Sequence, residues 1–269
     1  MANLNFHQTF KPEKEYISVL LEQADEIDNM DPQEISMLTG IPTGVRSGKV
    51  EPHIKYAEYM GLINVERRKN KYSLSKTTLG KLVCKEDPGL LEEVTILTLH
   101  CMLCRNEGGA ELWNKMFTHV FPTFHNKVSL DTVMLELKKD FPTLTQKNFS
   151  PFVNSYLDLF APLNILNVQG NTYVLKPLSV TDICIYVYGY VLYTLWETAY
   201  PGEQEVTIDQ INDCGFASLF GWDSQQEIHC LEKLQEKRII RLNRQLVPIT
   251  VFMLSTKDSI ETKLYSELF

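Results

Sequence analysis

The spacing of apolar positions predicts helices near the start of the chain. One apolar stripe recurs every three or four residues, at Tyr16, Val19, Leu20, Ala24 and Ile27. Asp31 is suited to cap a second helix, because Pro32 fits the first helical position and Glu34 stands three residues after the cap. A longer helix then follows and ends at Gly61, where a glycine can leave the helical conformation.

A hairpin with a basic tip follows these helices. The residues from Leu62 to Leu74 form two strand patterns, and Lys69-Asn70 is the predicted turn between them. Helix, turn, second helix and hairpin in this order predict a winged helix-turn-helix. In that fold the second helix is shaped to enter the major groove of DNA, and the hairpin can contact the phosphate backbone.

A second segment repeats this order loosely. Ser129–Phe141 has the pattern of a capped amphipathic helix, and Thr145–Phe160 predicts a further helix that is interrupted near Pro151. The next residues predict a hairpin that turns at Gln169-Gly170-Asn171. The apolar segment Leu90–Cys104 precedes this unit and predicts a connecting helix.

A third segment has helical patterns at Val206–Cys214 and Asp223–Lys237 and a hairpin that turns near Asn243-Arg244. Asp182–Ala199 predicts its connecting helix. The sequence therefore predicts a mainly α-helical chain with small β-hairpins (α+β), built from tandem winged helix-turn-helix units joined by helical spacers. The predicted domains are residues 1–86, 87–178 and 179–269, the last of them including a C-terminal helix.

The composition is typical of a packed globular protein, with 44% hydrophobic and 22% charged residues. The first residues lack the basic start and apolar run of a signal peptide. The longest apolar run, Ile183–Trp196, is shorter than the ~20 residues that a membrane span needs. The six cysteines lack the density of a secreted disulfide scaffold. These observations predict a reduced, cytoplasmic protein without a membrane segment.

The net charge of −8 is unevenly distributed along the chain. Residues 1–86 contain twelve Lys/Arg and twelve Asp/Glu, whereas residues 87–269 contain fourteen and twenty-two. Between Arg46 and Lys81, nine basic residues stand against three acidic ones. A basic face on an acidic protein is suited to selective polyanion binding, because acidic flanks repel stray phosphate. The alternative to polyanion binding is that the lysines of the hairpin only keep the surface solvated.

The candidate DNA-binding residues lie in the loop before the second helix, on its first turns and at the hairpin tip. They are Arg46, Ser47, Lys49, His53, Lys55, Arg67, Arg68, Lys69 and Lys71. Pro52 favours a helix that begins at Glu51 or Pro52, with the preceding loop facing phosphate. We expect the cationic side chains of the hairpin to project together from one flank. The residues expected to pack inward are Tyr56, Tyr59, Met60 and Leu62.

No catalytic pattern in the sequence is complete. Gly44–Val50 is similar to a phosphate-binding loop, but it has three residues between its glycines, and Val50 replaces the metal-binding Ser/Thr. Cys101 and Cys104 have metal or redox spacing, but no second pair follows, and their apolar neighbours favour buried structural thiols. We therefore predict a non-enzymatic protein without catalytic residues, metal or cofactor. A cryptic nuclease or hydrolase is the enzymatic alternative.

Two segments, Phe6–Phe10 (FHQTF) and Gly40–Ile63 (GIPTGVRSGKVEPHIKYAEYMGLI), resemble an uncharacterised prokaryotic family called domain of unknown function 4007. Members begin with a His-x-Thr-Phe block and later carry a Gly-rich turn that leads into a helix ending in Gly-Leu-Ile. The family's usual Gly-His-Glu-Thr-Phe is Phe-His-Gln-Thr-Phe here. Similar proteins tend to be encoded in bacterial defence or DNA-modification islands, beside enzymes similar to phosphoadenosine phosphosulfate reductases. The resemblance implies an accessory role around DNA in phage defence.

The sequence supports two functional hypotheses. The first is a DNA-binding accessory protein of a modification or defence system, with double-stranded DNA and a protein of that system as partners. The second is a winged-helix scaffold that assembles such an enzyme complex without binding DNA, and the acidic segment beyond residue 86 favours it. A homodimer is also open, because Ile260, Leu264 and Leu268 could cap the fold or join a second copy. His7 is expected to tie down backbone groups rather than to act as a switch or ligand.

Overall fold

Helices and short antiparallel strands alternate along the chain, so the protein has a mixed α and β structure. The computed structural model describes residues 4–44, 47–245 and 247–268. The helices are α1 (Lys14–Gln23), α2 (Pro32–Thr39), α3 (Val50–Tyr59), α4 (Thr78–Glu86), α5 (Glu93–Cys104), α6 (Glu111–Lys115), α7 (Phe121–Thr123), α8 (Leu130–Asp140), α9 (Gln146–Leu157), α10 (Ile185–Ala199), α11 (Ile208–Asp213), α12 (Phe216–Leu219), α13 (Ser224–Glu236) and α14 (Lys257–Glu261). The strands are β1 (Ile63–Arg68), β2 (Lys71–Lys76), β3 (Lys127–Ser129), β4 (Leu166–Gln169), β5 (Thr172–Leu175), β6 (Glu205–Thr207), β7 (Ile240–Asn243) and β8 (Thr250–Met253). In the described ranges no helix is both long enough and apolar enough to span a membrane.

The first unit contains α2, α3 and the antiparallel β1–β2 hairpin. Arg68 pairs with Lys71 beside the turn, which lies at Lys69-Asn70 as predicted. Met30, just before α2, is bridged to Tyr72 by two backbone hydrogen bonds of 3.0 and 2.8 Å. Strand β2 therefore has a backbone neighbour on both sides, and the hairpin is fixed against the start of α2.

The second and third units have the same order of elements, with three-stranded sheets. In each, a short strand precedes the helices and pairs with the last strand, which gives the orders β3-β5-β4 and β6-β8-β7. A hydroxyl caps the helix that follows the short strand: Ser129 accepts a hydrogen bond from the N–H of Thr132, and Thr207 from the N–H of Gln210. In all three units the last strand lies between two backbone neighbours.

Two apolar helices, α5 and α10, lie between the units and form the centre of the core. Every residue of α5 from Val94 to Cys104 is buried, and α10 is buried over most of its length. Helix α5 packs against α3, α6 and α10, and α10 packs against α12, α13 and α14. Burial on all sides explains why α5 has no polar face. The helices predicted within Leu90–Cys104 and Asp182–Ala199 are confirmed as α5 and α10.

Two predicted helix boundaries differ from the structure. Helix α9 continues through Pro151, which was expected to interrupt it. The carbonyl of Lys147, which loses its helical N–H partner at Pro151, accepts a hydrogen bond of 2.9 Å from the hydroxyl of Ser150 instead. Helix α3 begins at Val50, so Pro52 lies in its first turn, where a missing N–H has no helical acceptor.

The C-terminal segment packs on its own chain. Helix α14 contacts α10, and Ile260 and Leu264 are each 1% exposed. Of the two roles open for the apolar stripe at this end, capping the fold is therefore the one observed. Leu268 lies partly buried against the same core.

Candidate nucleic-acid interface

Gln8 and three further segments of the first unit line one polar cleft. It has a volume of about 460 Å³ and lies between the start of α2, the loop that leads into α3 and the tip of the β1–β2 hairpin. Its described lining residues are Gln8, Asp31, Pro32, Gln33, Thr43, Gly44, Ser47, Gly48, Glu51 and Asn70. We call this surface the unit-one cleft.

The start of α2 is closed by a capping box. Asp31 accepts hydrogen bonds from the N–H groups of Gln33 and Glu34 at 2.8 and 2.9 Å, and the Glu34 carboxylate accepts one from the N–H of Asp31 at 2.7 Å. This confirms the predicted cap. Because Asp31 occupies these donors, the helix end presents a carboxylate to the unit-one cleft instead of free N–H groups.

The loop before α3 is folded tightly back on itself. The N–H of Lys49 donates to the carbonyl of Pro42 at 2.8 Å. A side chain at Gly48 would place its Cβ 2.1 Å from the hydroxyl oxygen of Thr43, so only glycine fits this close approach. Ser47, which was predicted to contact DNA, is exposed and lines the unit-one cleft. Arg46 lies outside the described residues.

Glu51 joins the first turn of α3 to the hairpin. Its Oε1 accepts hydrogen bonds from the Tyr72 hydroxyl at 2.5 Å and from the Arg67 guanidinium at 3.2 Å, and its Oε2 accepts a longer one of 3.4 Å from Gln8. Burial and the hydrogen bond to Glu51 raise the pKa of the Tyr72 hydroxyl. The guanidinium carbon of Arg67 also lies 5.0 Å from the centre of the Tyr72 ring.

Most of the selected cations are paired with carboxylates of their own chain. Lys49 lies 2.7 Å from Glu13, and the hydrogen bond between them is the main cause that raises the pKa of Lys49. The other pairs are Lys55 with Glu58 at 2.5 Å, Arg67 with Glu51 at 3.2 Å and Lys71 with Glu34 at 3.7 Å. These four side chains, and Arg68 with Glu66 at 3.8 Å, therefore each have a carboxylate of their own chain within 4 Å.

The cations of the hairpin also point in different directions. Arg67 faces α3, whereas Arg68 lies on the opposite face of the strand, 3.8 Å from Glu66, with its side chain 87% exposed. Lys69 forms the turn, with a φ of +60°. The expectation that these side chains project together is wrong, because consecutive residues of a strand point to opposite faces.

His53 was predicted to contact DNA, but it lies in the core. It has 0% exposure, its Nδ1 lies 2.6 Å from the carbonyl of Lys49, and its Nε2 accepts a hydrogen bond of 3.0 Å from the N–H of Glu13. Burial lowers the pKa of His53, which the hydrogen bond to Lys49 partly opposes. Both ring nitrogens are used within the chain, so His53 does not contact DNA in this conformation.

The residues expected to pack inward do so, although Tyr59 is only partly buried against the core. Tyr56, Met60 and Leu62 have 0% exposure, and the Tyr56 hydroxyl donates to the carbonyl of Phe10 at 2.9 Å. Tyr59 is half-buried. The N-terminal block covers this side of α3, because Phe6 packs edge-on against the rings of Tyr56 and Tyr59. Much of α3 is therefore inaccessible, and its accessible residues are Glu51, Lys55, Glu58 and Tyr59.

The other histidine and cysteine candidates have structural roles. His7 is buried, and its Nδ1 accepts a hydrogen bond from the N–H of Thr9 at 3.0 Å, as expected for a residue that ties down the backbone. Burial lowers its pKa to about 4. Cys101 and Cys104 both have 0% exposure, and burial raises the pKa of each thiol, which confirms them as buried thiols.

Sequence reasoning missed Glu51, Tyr72 and Gln8 as members of this site. Glu51 was noted only as a possible first residue of the helix, and Tyr72 lay within a predicted strand. The alternation of Arg67 and Arg68 along β1 was a usable signal, because it places only one of them on the side of α3. No local pattern pointed to Gln8.

Two crystal structures of a protein named SspB have a similar fold. The magnesium ion-bound structure aligns with a TM-score of 0.74 and 14% identity over 100% of this chain and 90% of that chain. A second SspB structure aligns with a TM-score of 0.73 and 14% identity over 98% and 87%. No family model and no curated protein matches the chain. At this identity the similarity shows the fold alone.

The first of these SspB structures is magnesium ion-bound. Across residues 4–44, 47–245 and 247–268, no group of three or more His, Cys, Asp or Glu side chains could hold a metal ion. Asp31 and Glu51 line the unit-one cleft, but each is already held by hydrogen bonds within the unit.

Proposed function

We propose that the protein is a non-catalytic, DNA-binding accessory protein of a bacterial DNA-modification or phage-defence system. The observation that carries this proposal is the unit-one cleft, on which the starts of α2 and α3 and the hairpin tip all open. In a winged helix-turn-helix these are the segments that contact the DNA backbone and the base edges. The link to modification or defence rests on the resemblance of Phe6–Phe10 and Gly40–Ile63 to the domain of unknown function 4007 family.

We further propose that all three units are winged helices arranged in tandem. Each has a backbone-paired segment before its helices and ends in a hairpin whose last strand lies between two neighbours. The units differ in charge at their hairpin tips. Only the first tip is strongly basic, with Arg67, Arg68, Lys69 and Lys71, so the first unit is the one proposed to contact DNA.

A phosphate that binds at this face replaces a carboxylate as the partner of a cation. Lys49, Arg67 and Lys71 each have a carboxylate within 4 Å, so a phosphate competes with that carboxylate for the cation. Arg68 also has a carboxylate nearby, with Glu66 at 3.8 Å, but both side chains of this pair are largely exposed, and Lys69 lies at the turn. We expect the attraction between the side chains of Arg68 and Lys69 and the DNA phosphates to supply most of the salt-dependent part of the affinity.

A retardation titration of duplex DNA across a series of salt concentrations tests the proposal. Neutralisation of ~4 phosphates predicts a slope of about −3.6 in a plot of log affinity against log salt. Single-stranded DNA of the same length serves as a competitor. The absence of any retardation of duplex DNA at low salt would contradict DNA binding.

A protein-binding scaffold is the second candidate function. Met37 on α2 is 80% exposed, and its neighbour Leu38 is 39% exposed, which leaves an apolar edge on the same unit. Helices of this kind can present such edges to protein partners. Stoichiometric co-purification of a modification or defence protein, together with no retardation of duplex DNA at low salt, would favour the scaffold. A cytoplasmic location and a homodimer are further parts of the proposal that are open to test.

A further inference from the structure

The carboxylate of Glu51 is held in a fixed position at the unit-one cleft. Its Oε1 accepts from Tyr72 at 2.5 Å and from Arg67 at 3.2 Å, which together use the lone pairs of that oxygen. Both partners are on the hairpin, and Tyr72 is only 2% exposed. The carboxylate is therefore anchored from one side by a buried donor and a guanidinium.

The second carboxylate oxygen retains acceptor capacity. Oε2 of Glu51 has one long contact of 3.4 Å, from the amide of Gln8, and Gln8 also lines the unit-one cleft. A carboxylate oxygen can accept about two hydrogen bonds, so at least one position on Oε2 remains open. That position is available to a donor that enters the cleft.

The oxygens that line the cleft select the kind of group that can enter it. Asp31 and Glu51 are both in its lining, and the Arg67 guanidinium lies 3.2 Å from Oε1 of Glu51 and offsets its charge. A carboxylate oxygen only accepts hydrogen bonds, so the group that meets Oε2 must be a donor, such as a neutral N–H. The exocyclic amino group of cytosine is such a donor on the major-groove edge, and Glu or Asp side chains can accept from it.

We propose that Glu51 reads cytosine, with Oε2 accepting a hydrogen bond from the N4 amino group of one cytosine in the major groove. This inference rests on the proposed DNA-binding function and adds a base preference to it. The hairpin cations contact phosphate, and Glu51 contacts the base edge from the first turn of α3. Tyr72 and Arg67 act as positioning residues that hold the carboxylate toward the cleft.

The test compares the base preferences of the full-length chain and its Glu51→Gln variant on a pool of duplexes randomised over one site. The amide oxygen of Gln can keep the contacts with Tyr72 and Arg67, while the amide nitrogen replaces Oε2 and repels the cytosine amino group. We expect the unmodified protein to enrich cytosine at one position and E51Q to lose that enrichment by roughly tenfold. Equal thermal unfolding of the two proteins verifies that the variant is folded.

Glu13→Gln is the matched control. It removes one negative charge beside Lys49, but Glu13 does not line the unit-one cleft. We expect E13Q to raise the overall affinity without changing the base preference. Retained cytosine enrichment in E51Q, or no base preference in the unmodified protein, would overturn the inference while leaving DNA binding intact. If neither protein retards any duplex, the proposed function fails as well.

Discussion

The backbone N–H of Glu13 donates a hydrogen bond of 3.0 Å to Nε2 of His53. Since Nε2 is the acceptor, the ring proton is on Nδ1, which lies 2.6 Å from the carbonyl of Lys49 and donates to it. The neutral imidazole therefore joins the start of α1 to the first turn of α3. These two hydrogen bonds explain why His53 is buried, although it lies near the start of a helix that is proposed to contact DNA.

The first prediction concerns the pH dependence contributed by His53. Burial lowers its folded-state pKa below 6.5, so its stabilising contribution is complete above that pH and is lost as the pH falls toward the folded-state pKa. His53→Gln can replace both hydrogen bonds without titrating. We expect H53Q to cost roughly 1 kcal/mol at pH 7.5 and to show a smaller loss of unfolding free energy between pH 7.5 and 5.

Urea unfolding of both proteins at the two pH values provides this measurement. His119→Gln, at an exposed position, is measured in the same way as a control for replacing an imidazole by an amide. A loss in H53Q as large as in the unmodified protein would contradict a neutral, buried His53.

The second prediction concerns the contact between His100 and Tyr156 in the centre of the core. Nε2 of His100 lies 2.9 Å from the carbonyl of Leu219, and Nδ1 lies 2.9 Å from the Tyr156 hydroxyl. With the ring proton on Nε2, Nδ1 accepts from Tyr156. Tyr156→Phe removes this donor from a fully buried site and leaves only the weak Cys104 thiol, whose Sγ lies 3.6 Å from Nδ1, so we expect a loss of about 1–3 kcal/mol in unfolding free energy.

Tyr173→Phe is the matched control for this substitution. Tyr173 is 6% exposed, and within the described part of the chain its hydroxyl makes no hydrogen bond. Removal of its hydroxyl should therefore cost much less than removal of that of Tyr156. Equal costs in urea unfolding would show that the contact with His100 adds nothing to the stability of the core.

Helix ends and tight turns were predictable because the groups that form them are close in sequence. Asp31 caps a helix through the backbone of Gln33 and Glu34, and the turn at Lys69-Asn70 needs only its own residues. The buried character of α5 was predictable as well, since burial on all sides leaves no polar stripe. These features require no knowledge of which elements become neighbours.

The charge pairing at the candidate site could not be predicted in the same way. Glu51 meets Arg67 across 16 residues and Tyr72 across 21, and these separations carry no local pattern. A count of basic residues between Arg46 and Lys81 therefore overstated the free positive charge of this surface. The burial of His53 depended on the N-terminal segment folding over α3, which is also a contact between distant parts of the sequence.

The third prediction concerns the cations at the hairpin tip. Charge reversal of Arg68 and Lys69 together should reduce the magnitude of the slope of log affinity against log salt by about two. Each reversal removes at least one phosphate contact. Arg67 is left intact, since its reversal would also break the contact with Glu51. The measurement is the same retardation titration across salt concentrations.

The control for this reversal is a pair of exposed lysines on α8, in the second unit. Lys138→Glu with Lys139→Glu changes the net charge by the same amount at a surface that is not proposed to contact DNA. It should lower affinity slightly and leave the slope close to that of the unmodified protein. An unchanged slope after reversal of Arg68 and Lys69 would remove the hairpin from the proposed interface.

The fourth prediction concerns Glu227 on α13, a carboxyl group that is only 1% exposed. Its Oε1 has no hydrogen-bond partner in the described structure, and burial raises its pKa to about 7. A carboxyl group with a raised folded-state pKa favours the folded protein at low pH, and this advantage is lost as the pH rises from 4.5 through 7. Glu227→Gln removes the titration. We therefore compare the unfolding free energy of E227Q with that of the unmodified protein at each pH. We expect this difference to shift in favour of E227Q by about 2 kcal/mol between pH 5 and pH 8.

Urea unfolding at both pH values measures this difference, and Glu236→Gln, an exposed position on the same helix, is the control. The comparison between two pH values separates the titration from any packing change that the substitution causes, because the packing change contributes equally at both. A relative stability of E227Q that is the same at pH 5 and pH 8 would mean that Glu227 titrates alike in the folded and unfolded chains. Its carboxyl group would then be reached by solvent, in contradiction to its burial between α13 and the rest of the third unit.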